Sequence, residues 1–239
     1  LTRQRRQLSI SAESPQGMRM NMVSFNMLAP CYKRLPSRNS SGRRMRESQD
    51  DALWNARAKK TLKFFEEEIL RSTSIIGLQE FWLETKYREM FESVFDRAGY
   101  DIRILKRMGD KADSVALLIK RDDLDIVEIK EVQLLSTGDR VALIALLKHR
   151  KTGTYIILAN THLSFPHTSL DKMYQMRQIV ALTEAVDSFF SETVKKLDTK
   201  GSTVGNDKES NIHRIIMGDF NQSLDSPLCD HLRGVGYVS

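Results

Sequence analysis

Four consecutive β-rich segments between residues 114 and 163 constrain the fold of this chain more than any other feature. Their sequences are SVALLIK, LDIVEIKEVQLL, RVALIALLKH and GTYIILANTHL, and turns with charged residues or glycine separate them. Three further strand segments are MRMNMVSFN, SIIGLQE and HRIIMGDF, and apolar periodicity predicts helices over about residues 51–70, 84–97 and 170–196. Many strands with flanking helices predict an α/β fold in which helices cover the sheets.

Local patterns predict the outline of the first half of the chain. Residues 1–17 are polar and are predicted to form an N-terminal tail, and residues 33–49 are predicted to form a basic, serine-rich loop. The first helix is expected to begin at an acidic cap, Asp50 or Asp51, and its predicted inner face comprises Leu53, Ala56, Leu62, Phe65 and Ile69.

The composition, with 41% hydrophobic and 28% charged residues, is typical of a soluble globular protein. No apolar run approaches the roughly 18 residues that cross a bilayer, and the start of the chain shows no signal peptide. Two cysteines, Cys31 and Cys229, are too few for a disulfide framework and suit a reducing compartment. We therefore expect an intracellular protein, cytoplasmic or nuclear, with organellar targeting left open.

The excess of positive charge indicates an anionic partner. The formal net charge is +6, which favours nucleic acid, a phosphorylated small molecule or an acidic membrane surface. Three arginines of the 33–49 loop, Arg43, Arg44 and Arg46, are candidates for binding a phosphate backbone. A solvated loop explains the same charges equally well.

Polar side chains lie at the ends of four predicted strands. The residues are Asn26, Glu80, Asn160, His162, Asp219 and Asn221. One asparagine at a strand end is usually a turn former, but four such ends in one chain predict a site if the strands are neighbours. Asp219 and Asn221 are two positions apart, so on a strand they would face the same side.

The types of these side chains fit magnesium and phosphate. Glu80 and Asp219 supply carboxylate oxygens, and magnesium is typically held by one or two carboxylates together with waters and substrate phosphate. An asparagine amide can donate to a phosphate oxygen, and His162 is a candidate donor or general acid–base group. Soft ligands are few, which disfavours zinc and copper.

Five segments in this order resemble the signature of the endonuclease/exonuclease/phosphatase superfamily: VSFNMLAP, IIGLQE, DSVALLIK, ANTHL and IMGDFN. NMLAP, WNAR and NTHL are most similar to the branch of carbon-catabolite-repressor deadenylases, nocturnin and Angel proteins, and THLSFPHTSL resembles its plant and algal subgroup. The resemblance covers about residues 19–238. It implies a two-sheet β-sandwich core flanked by helices, in four layers α/β/β/α, and one catalytic domain over residues 18–239.

The resemblance also implies a metal site. Glu80 would be the principal ligand of Mg²⁺, which Mn²⁺ could replace. Asn26 would lie beside Glu80, on the metal or on a phosphate oxygen.

The remaining residues would act on the phosphate and the attacking water. Asp219 would orient or help to activate the water, and Asn221 would bind the scissile phosphate. His162 would stabilise charge on the phosphoryl group, with Asn160 in support.

The chain departs from the family pattern in two places. Ser114 stands where the family usually has glycine. The family's final aspartate-containing strand and Ser-Asp-His motif do not appear before the last residue, and His231 lies in a predicted helix and is no substitute. The resemblance therefore implies a C-terminally incomplete domain, and we expect weak hydrolysis.

The function predicted from the sequence is a magnesium-dependent phosphodiesterase, a 3′-to-5′ ribonuclease of the deadenylase type that acts on RNA. Two alternatives remain. The first is a phosphatase or phosphodiesterase that acts on a phosphorylated small molecule or a lipid head group. The second is a non-catalytic binding domain, which the absent C-terminal motif favours.

Overall fold

A computed structural model of the chain describes residues 8–13, 19–38, 42–136, 138–199 and 211–238. The chain divides into two compact units, Leu1–Asp122 and Asp123–Ser239. Each unit has its own sheet and its own apolar core. The prediction of one catalytic domain over residues 18–239 stays a prediction.

The strands are β1 (Leu8–Glu13), β2 (Arg19–Asn26), β3 (Arg34–Arg38), β4 (Arg44–Arg46), β5 (Ile75–Trp82), β6 (Tyr100–Lys106), β7 (Asp113–Lys120), β8 (Leu124–Gln133), β9 (Val141–His149), β10 (Tyr155–His162) and β11 (Ile212–Asp219). The helices are α1 (Asp51–Phe64), α2 (Thr85–Arg97), α3 (Ser169–Thr199) and α4 (Pro227–Gly234). A π-helical segment, Phe65–Ile69, continues α1. The seven strand segments and four helices predicted from the sequence, including the short helix that contains His231, are confirmed, and β6 was not predicted.

The first unit contains a five-stranded sheet in the order β1-β2-β5-β7-β6. Strands β2 and β5 are parallel, and the other neighbours are antiparallel. Helices α1 and α2 pack on this sheet, and both contribute aromatic side chains to one apolar core. The core covers the face of the sheet that β2, β5 and β7 supply.

The buried face of α1 differs in part from the predicted one. Leu53 and Ala56 are exposed, whereas Trp54, Ala58 and Leu62 are buried. The Trp54 ring packs edge-on against a second tryptophan, with their centroids 5.6 Å apart. Because a tryptophan buries more apolar area than a leucine, the helix turns Trp54 inward and exposes Leu53.

The predicted N-terminal tail contains a strand, which corrects that prediction. Leu8–Glu13 pairs with β2 in an antiparallel register from Leu8 opposite Ser24 to Glu13 opposite Arg19. The segment LSISAE alternates apolar and polar residues, as a strand does, but its polar neighbours hid the pattern. The other residues of the predicted tail lie outside the described part of the chain.

The predicted loop over residues 33–49 also contains regular structure. Strands β3 and β4 form an antiparallel hairpin, and a 3-10 turn at Glu47–Gln49 leads into α1. Positive charge on edge strands such as these discourages pairing with other chains, so a basic segment can still form strands.

The second unit contains a four-stranded sheet in the order β11-β10-β9-β8. Strands β10 and β11 are parallel, with His162 opposite Asp219, and the other neighbours are antiparallel. Helices α3 and α4 pack against this sheet around a second apolar core. In the residues that the structure describes, no helix has the length and apolar character needed to cross a membrane.

Candidate functional site

Glu80 lies in a β-bulge, not at the end of a strand as predicted. Strand β5 continues to Trp82, and its pairing with β7 changes register between Leu78 and Phe81. Glu80 has a φ of 51°, a left-handed conformation that non-glycine residues seldom adopt. A bulge changes the direction of a side chain, which then departs from the alternation of the two faces along a strand. The Glu80 side chain is accordingly partly exposed, although its neighbours in β5 are buried.

Two donors hold the carboxylate of Glu80. The Asn26 Nδ2 donates to Glu80 Oε1 at 3.2 Å, and the backbone N–H of Ala29 donates to Oε2 at 3.2 Å. The Asn26 oxygen accepts from the backbone N–H of Leu28 at 2.8 Å. The nitrogen of the amide therefore faces Glu80. The structure thus places Asn26 beside Glu80, where it orients the carboxylate, and its predicted place on the metal or on a phosphate oxygen stays a prediction.

This first cluster, Asn26, Leu28, Ala29 and Glu80, offers one partly exposed carboxylate. Such a donor is compatible with Mg²⁺, which keeps several waters and takes further oxygens from substrate phosphate. Within the described ranges, no three histidine, cysteine or acidic side chains lie together as a metal site.

A buried polar network next to the first cluster was not predicted. Asp113 is fully buried; the Tyr32 hydroxyl donates to it at 2.6 Å, and Arg107 Nη1 lies 3.2 Å from it. Burial, the hydrogen bond to Asp113 and the charge of Asp113 raise the pKa of Tyr32. Ser114, the departure from the family pattern, donates to the carbonyl of Phe81 at 3.0 Å and so supports the bulge. In the sequence, the one indication of this network is Asp113, which precedes the apolar residues of β7.

The pKa of the Cys31 thiol depends on the negative charges near it. Burial raises its pKa to about 11, and the negative charges of Asp113 and Glu80 add to the rise. A thiol in this state stays protonated at neutral pH. Cys31 is therefore not expected to act as a nucleophile.

We expect Cys31 to react slowly with iodoacetamide. At pH 8 its thiolate fraction should be about 100-fold below that of an ordinary cysteine, and the rate should keep rising between about pH 9 and 11 because the pKa is raised. Mass spectrometry of the Cys31 peptide measures this rate. The Glu80→Gln variant removes one negative charge and should react faster, whereas a rate that levels off near pH 9 would contradict the account.

A second cluster lies in the second unit, where β10 and β11 end together. His162 is opposite Asp219, and the backbone N–H of Leu163 donates to the carbonyl of Asp219 at 3.0 Å. The distance from His162 Nε2 to Asp219 Oδ2 is 3.9 Å. His162 is buried and the Asp219 side chain is 31% exposed, so a water can reach the carboxylate.

Asn221 joins this cluster through a turn, which corrects the argument from strand alternation. Strand β11 ends at Asp219, and Asn221 has a φ of 53°. Asp219 Oδ1 accepts from the backbone N–H of Asn221 at 3.0 Å, the local hydrogen bond by which aspartate stabilises turns. The turn, and not a shared strand face, brings the two side chains together.

The hydrogen bonds of Asn221 connect its turn to His162. Asn221 Nδ2 donates to the carbonyl of Leu163 at 2.9 Å and lies 3.1 Å from His162 Nε2. Because a carbonyl only accepts, the amide nitrogen faces this side and can donate its second hydrogen to His162 Nε2.

Two further residues, Asn160 and Gln175, support the second cluster. Asn160 is fully buried in β10, two positions before His162. Gln175 of α3 was not predicted; its Nε2 donates to the carbonyls of Ser164 at 2.8 Å and Phe220 at 2.7 Å. This residue therefore ties α3 to the segments that follow β10 and β11 and holds the turn of Asn221.

The three candidate arginines of the first unit differ in their surroundings. Arg43 and Arg44 are exposed, and Arg46 Nη1 donates to the carbonyl of Tyr32 at 2.7 Å. Arg46 thus stabilises the backbone next to the first cluster. Its predicted contact with substrate, like those of Arg43 and Arg44, stays a prediction.

Backbone strain coincides with both clusters. In the described part of the chain, the non-glycine residues with positive φ are Leu28, Glu80 and Asn221. For Leu28 and Glu80 this conformation costs about 1–3 kcal/mol, and strain of this kind concentrates at functional sites. Asparagine adopts it more readily. Glu80 and Asn221 are among the residues of the single site that the sequence predicts, and Leu28 is not.

No protein-family model matches the chain, but individual proteins do. An uncharacterised calcium-binding protein of Arabidopsis thaliana is 27% identical over 230 residues, which are 92% of this chain and 43% of that protein. Carbon catabolite repressor protein 4 homolog 3, also of Arabidopsis thaliana, is 28% identical over 172 residues, 70% of this chain and 33% of that protein.

A solved structure shares the fold. The human nocturnin catalytic domain, with bound sulfate, is 17% identical and has a TM-score of 0.65 over 99% of this chain and 76% of its own. This similarity confirms the predicted α/β fold with two sheets and flanking helices. The chain spans less than half the length of each of these two Arabidopsis relatives.

Proposed function

We propose that this chain, a member of the endonuclease/exonuclease/phosphatase superfamily on its deadenylase branch, hydrolyses phosphodiesters with the help of Mg²⁺. The observation that carries the proposal is the strained, hydrogen-bonded setting of Glu80, together with a second such setting around Asp219 and Asn221. These residues belong to the motifs that define the resemblance. Preorganised groups of this kind stabilise developing charge without reorganisation during reaction.

The first cluster would hold the metal. Glu80 would be its protein ligand, and Asn26 and Ala29 would keep the carboxylate in place through the bonds described above. A bound Mg²⁺ supplies positive charge that polarises a phosphoryl oxygen.

The second cluster would act on the water and the phosphoryl group. The exposed part of the Asp219 carboxylate would accept a hydrogen bond from the attacking water and orient it. A phosphate oxygen would take the Asn221 Nδ2 hydrogen that faces His162 Nε2 in this structure. His162, released from Asn221, would stabilise the charge on the phosphoryl group by donating a hydrogen bond from a protonated ring nitrogen to a phosphoryl oxygen.

The proposed substrate is single-stranded RNA with a free 3′ end. The net charge of +6 favours a polyanion, and a relative is named for carbon catabolite repressor protein 4. The exposed Arg43 and Arg44 would contact the phosphate backbone. The activity, substrates and partners of the whole protein form part of this proposal.

We expect the chain to shorten an oligoadenylate from its 3′ end in the presence of Mg²⁺, slowly but measurably. The Asp219→Asn variant should lower kcat by about 10²–10⁴-fold, because it removes the carboxylate that orients and helps to activate the attacking water. Electrophoresis of an oligoadenylate labelled at its 5′ end measures both rates. The matched control is Asp225→Asn, which changes the same charge at an exposed position of the same unit.

Two outcomes would redirect the proposal. Hydrolysis of an inositol phosphate or of sphingomyelin, with RNA left intact, would establish the small-molecule or lipid alternative. Binding of oligoadenylate without cleavage at any Mg²⁺ concentration would establish the non-catalytic alternative.

A further inference from the structure

Arg57 of α1 makes an unusual set of contacts next to the first cluster. Its Nη1 donates to the carbonyl of Met27 at 3.0 Å and its Nη2 to the carbonyl of Leu28 at 2.7 Å. Its Nε donates to Glu47 Oε2 at 2.7 Å. One guanidinium therefore holds two consecutive carbonyls of the segment that follows β2.

The contacts of Arg57 fix the direction of two N–H groups. The Leu28 carbonyl and the Ala29 N–H belong to one planar peptide unit, in which they point in opposite directions. The Ala29 N–H donates to Glu80 Oε2. By holding the Leu28 carbonyl, Arg57 aims the Ala29 N–H at this oxygen.

The same relation applies one residue earlier. The Met27 carbonyl and the Leu28 N–H share a peptide unit, and the Leu28 N–H donates to Asn26 Oδ1. This bond turns the Asn26 amide so that its nitrogen faces Glu80 Oε1. Arg57 is thus linked to both carboxylate oxygens of Glu80, to one through Ala29 and to the other through Asn26.

We infer that Arg57 is a positioning residue that sets the orientation of the Glu80 carboxylate through these two peptide units. It also restrains Leu28, whose φ of 51° is unfavourable for a leucine. As a role in metal binding, the inference rests on the proposed function, since it assigns the ion to Glu80.

A lysine could not replace Arg57 in this role. The planar guanidinium presents donors in a fixed fork, whereas a lysine ammonium is a single point charge. Glu47 is 2% exposed and also pairs with Lys33 at 2.7 Å. Arg57→Lys therefore keeps a positive charge beside Glu47 but cannot hold both carbonyls and the carboxylate together.

The test measures amide hydrogen exchange by NMR and Mn²⁺ affinity by calorimetry in the wild type and in Arg57→Lys. In the variant, exchange of the Ala29 N–H should become at least about tenfold faster while amides of α2 keep their rates. The dissociation constant for Mn²⁺ should rise about 10–100-fold, as for other groups that orient a metal ligand. The control is Arg121→Lys, because Arg121 also holds two carbonyls of this unit, those of Asp96 and Tyr100.

The two readouts separate the inference from the proposed function. If the wild type binds no Mn²⁺, the metal assignment fails, and the exchange rate of Ala29 alone decides whether Arg57 orients this peptide. Wild-type exchange and wild-type affinity in Arg57→Lys would overturn the inference. If Arg57→Lys does not fold, the double variant Arg57→Gln with Glu47→Gln removes both partners and leaves no unpaired buried charge from the pair, and the same two measurements apply.

Discussion

Replacing Gly218 by alanine is expected to destabilise the second unit strongly. A Cβ at this position would lie 2.1 Å from the carbonyl oxygen of Thr161 and 3.0 Å from its carbon. Both are backbone atoms of β10, so neither can move without parting the strands. Gly218 also has a φ of 148°, which side chains disfavour.

The expected loss follows from these two effects. Overpacking costs about 1–3 kcal/mol and the strained backbone about 1–3 kcal/mol, so we expect the free energy of unfolding to fall by about 2–6 kcal/mol. Proteins of ordinary stability have about 5–15 kcal/mol in total. Because Gly218 precedes Asp219, the variant should also displace Asp219 from His162. Urea denaturation followed by circular dichroism measures the loss.

The control for Gly218→Ala is Gly153→Ala. Gly153 has a φ of 72°, but its added Cβ would meet only Lys148 Cε, at 4.0 Å. This variant carries the backbone cost without the steric one and should lose about 1–2 kcal/mol. Equal losses in the two variants would show that β10 and β11 are not in close contact at Thr161.

The Glu80→Gln variant is expected to lose metal binding and, with it, hydrolysis. Glutamine keeps the size of the side chain but removes the charge that attracts Mg²⁺. Its amide nitrogen would also face Asn26 Nδ2 or the Ala29 N–H, where Glu80 presents two acceptors. Groups that only support a metal ligand affect affinity 10–100-fold, so we expect a loss of about 100-fold or more for the ligand itself. The rate of oligoadenylate shortening should fall in parallel.

Local patterns in the sequence were sufficient for most of the fold. The apolar runs of β7, β9 and β10 are nearly continuous because those strands are buried, and Asp50 caps α1 by accepting from the Leu53 N–H at 3.1 Å. These features depend on neighbours in sequence. The predicted burial of Leu62, Phe65 and Ile69 is confirmed. The burial of Leu53 and Ala56 was predicted wrongly because the packing of Trp54 against another tryptophan depends on residues far along the chain.

The candidate site was predicted in its residue types but not in its geometry. The motifs identified Glu80 and Asn221, yet the bulge of β5 depends on its register with β7. The turn of Asn221 depends on a hydrogen bond from its backbone N–H to the Asp219 side chain, which the strand periodicity did not indicate. Asp113 and Arg57 act through partners that are distant in sequence. Single-sequence patterns contain no information on such pairings.

Titration of Mn²⁺ into the wild type, Glu80→Gln and Glu89→Gln by calorimetry tests the central claim most directly. Glu89 is an exposed acid of α2, so its variant changes the net charge equally and leaves the first cluster intact. The account predicts one binding site of similar affinity in the wild type and in Glu89→Gln, and an affinity at least about 100-fold weaker in Glu80→Gln. A wild type that binds no metal, or three proteins that bind it equally, would contradict the assignment of a metal to Glu80.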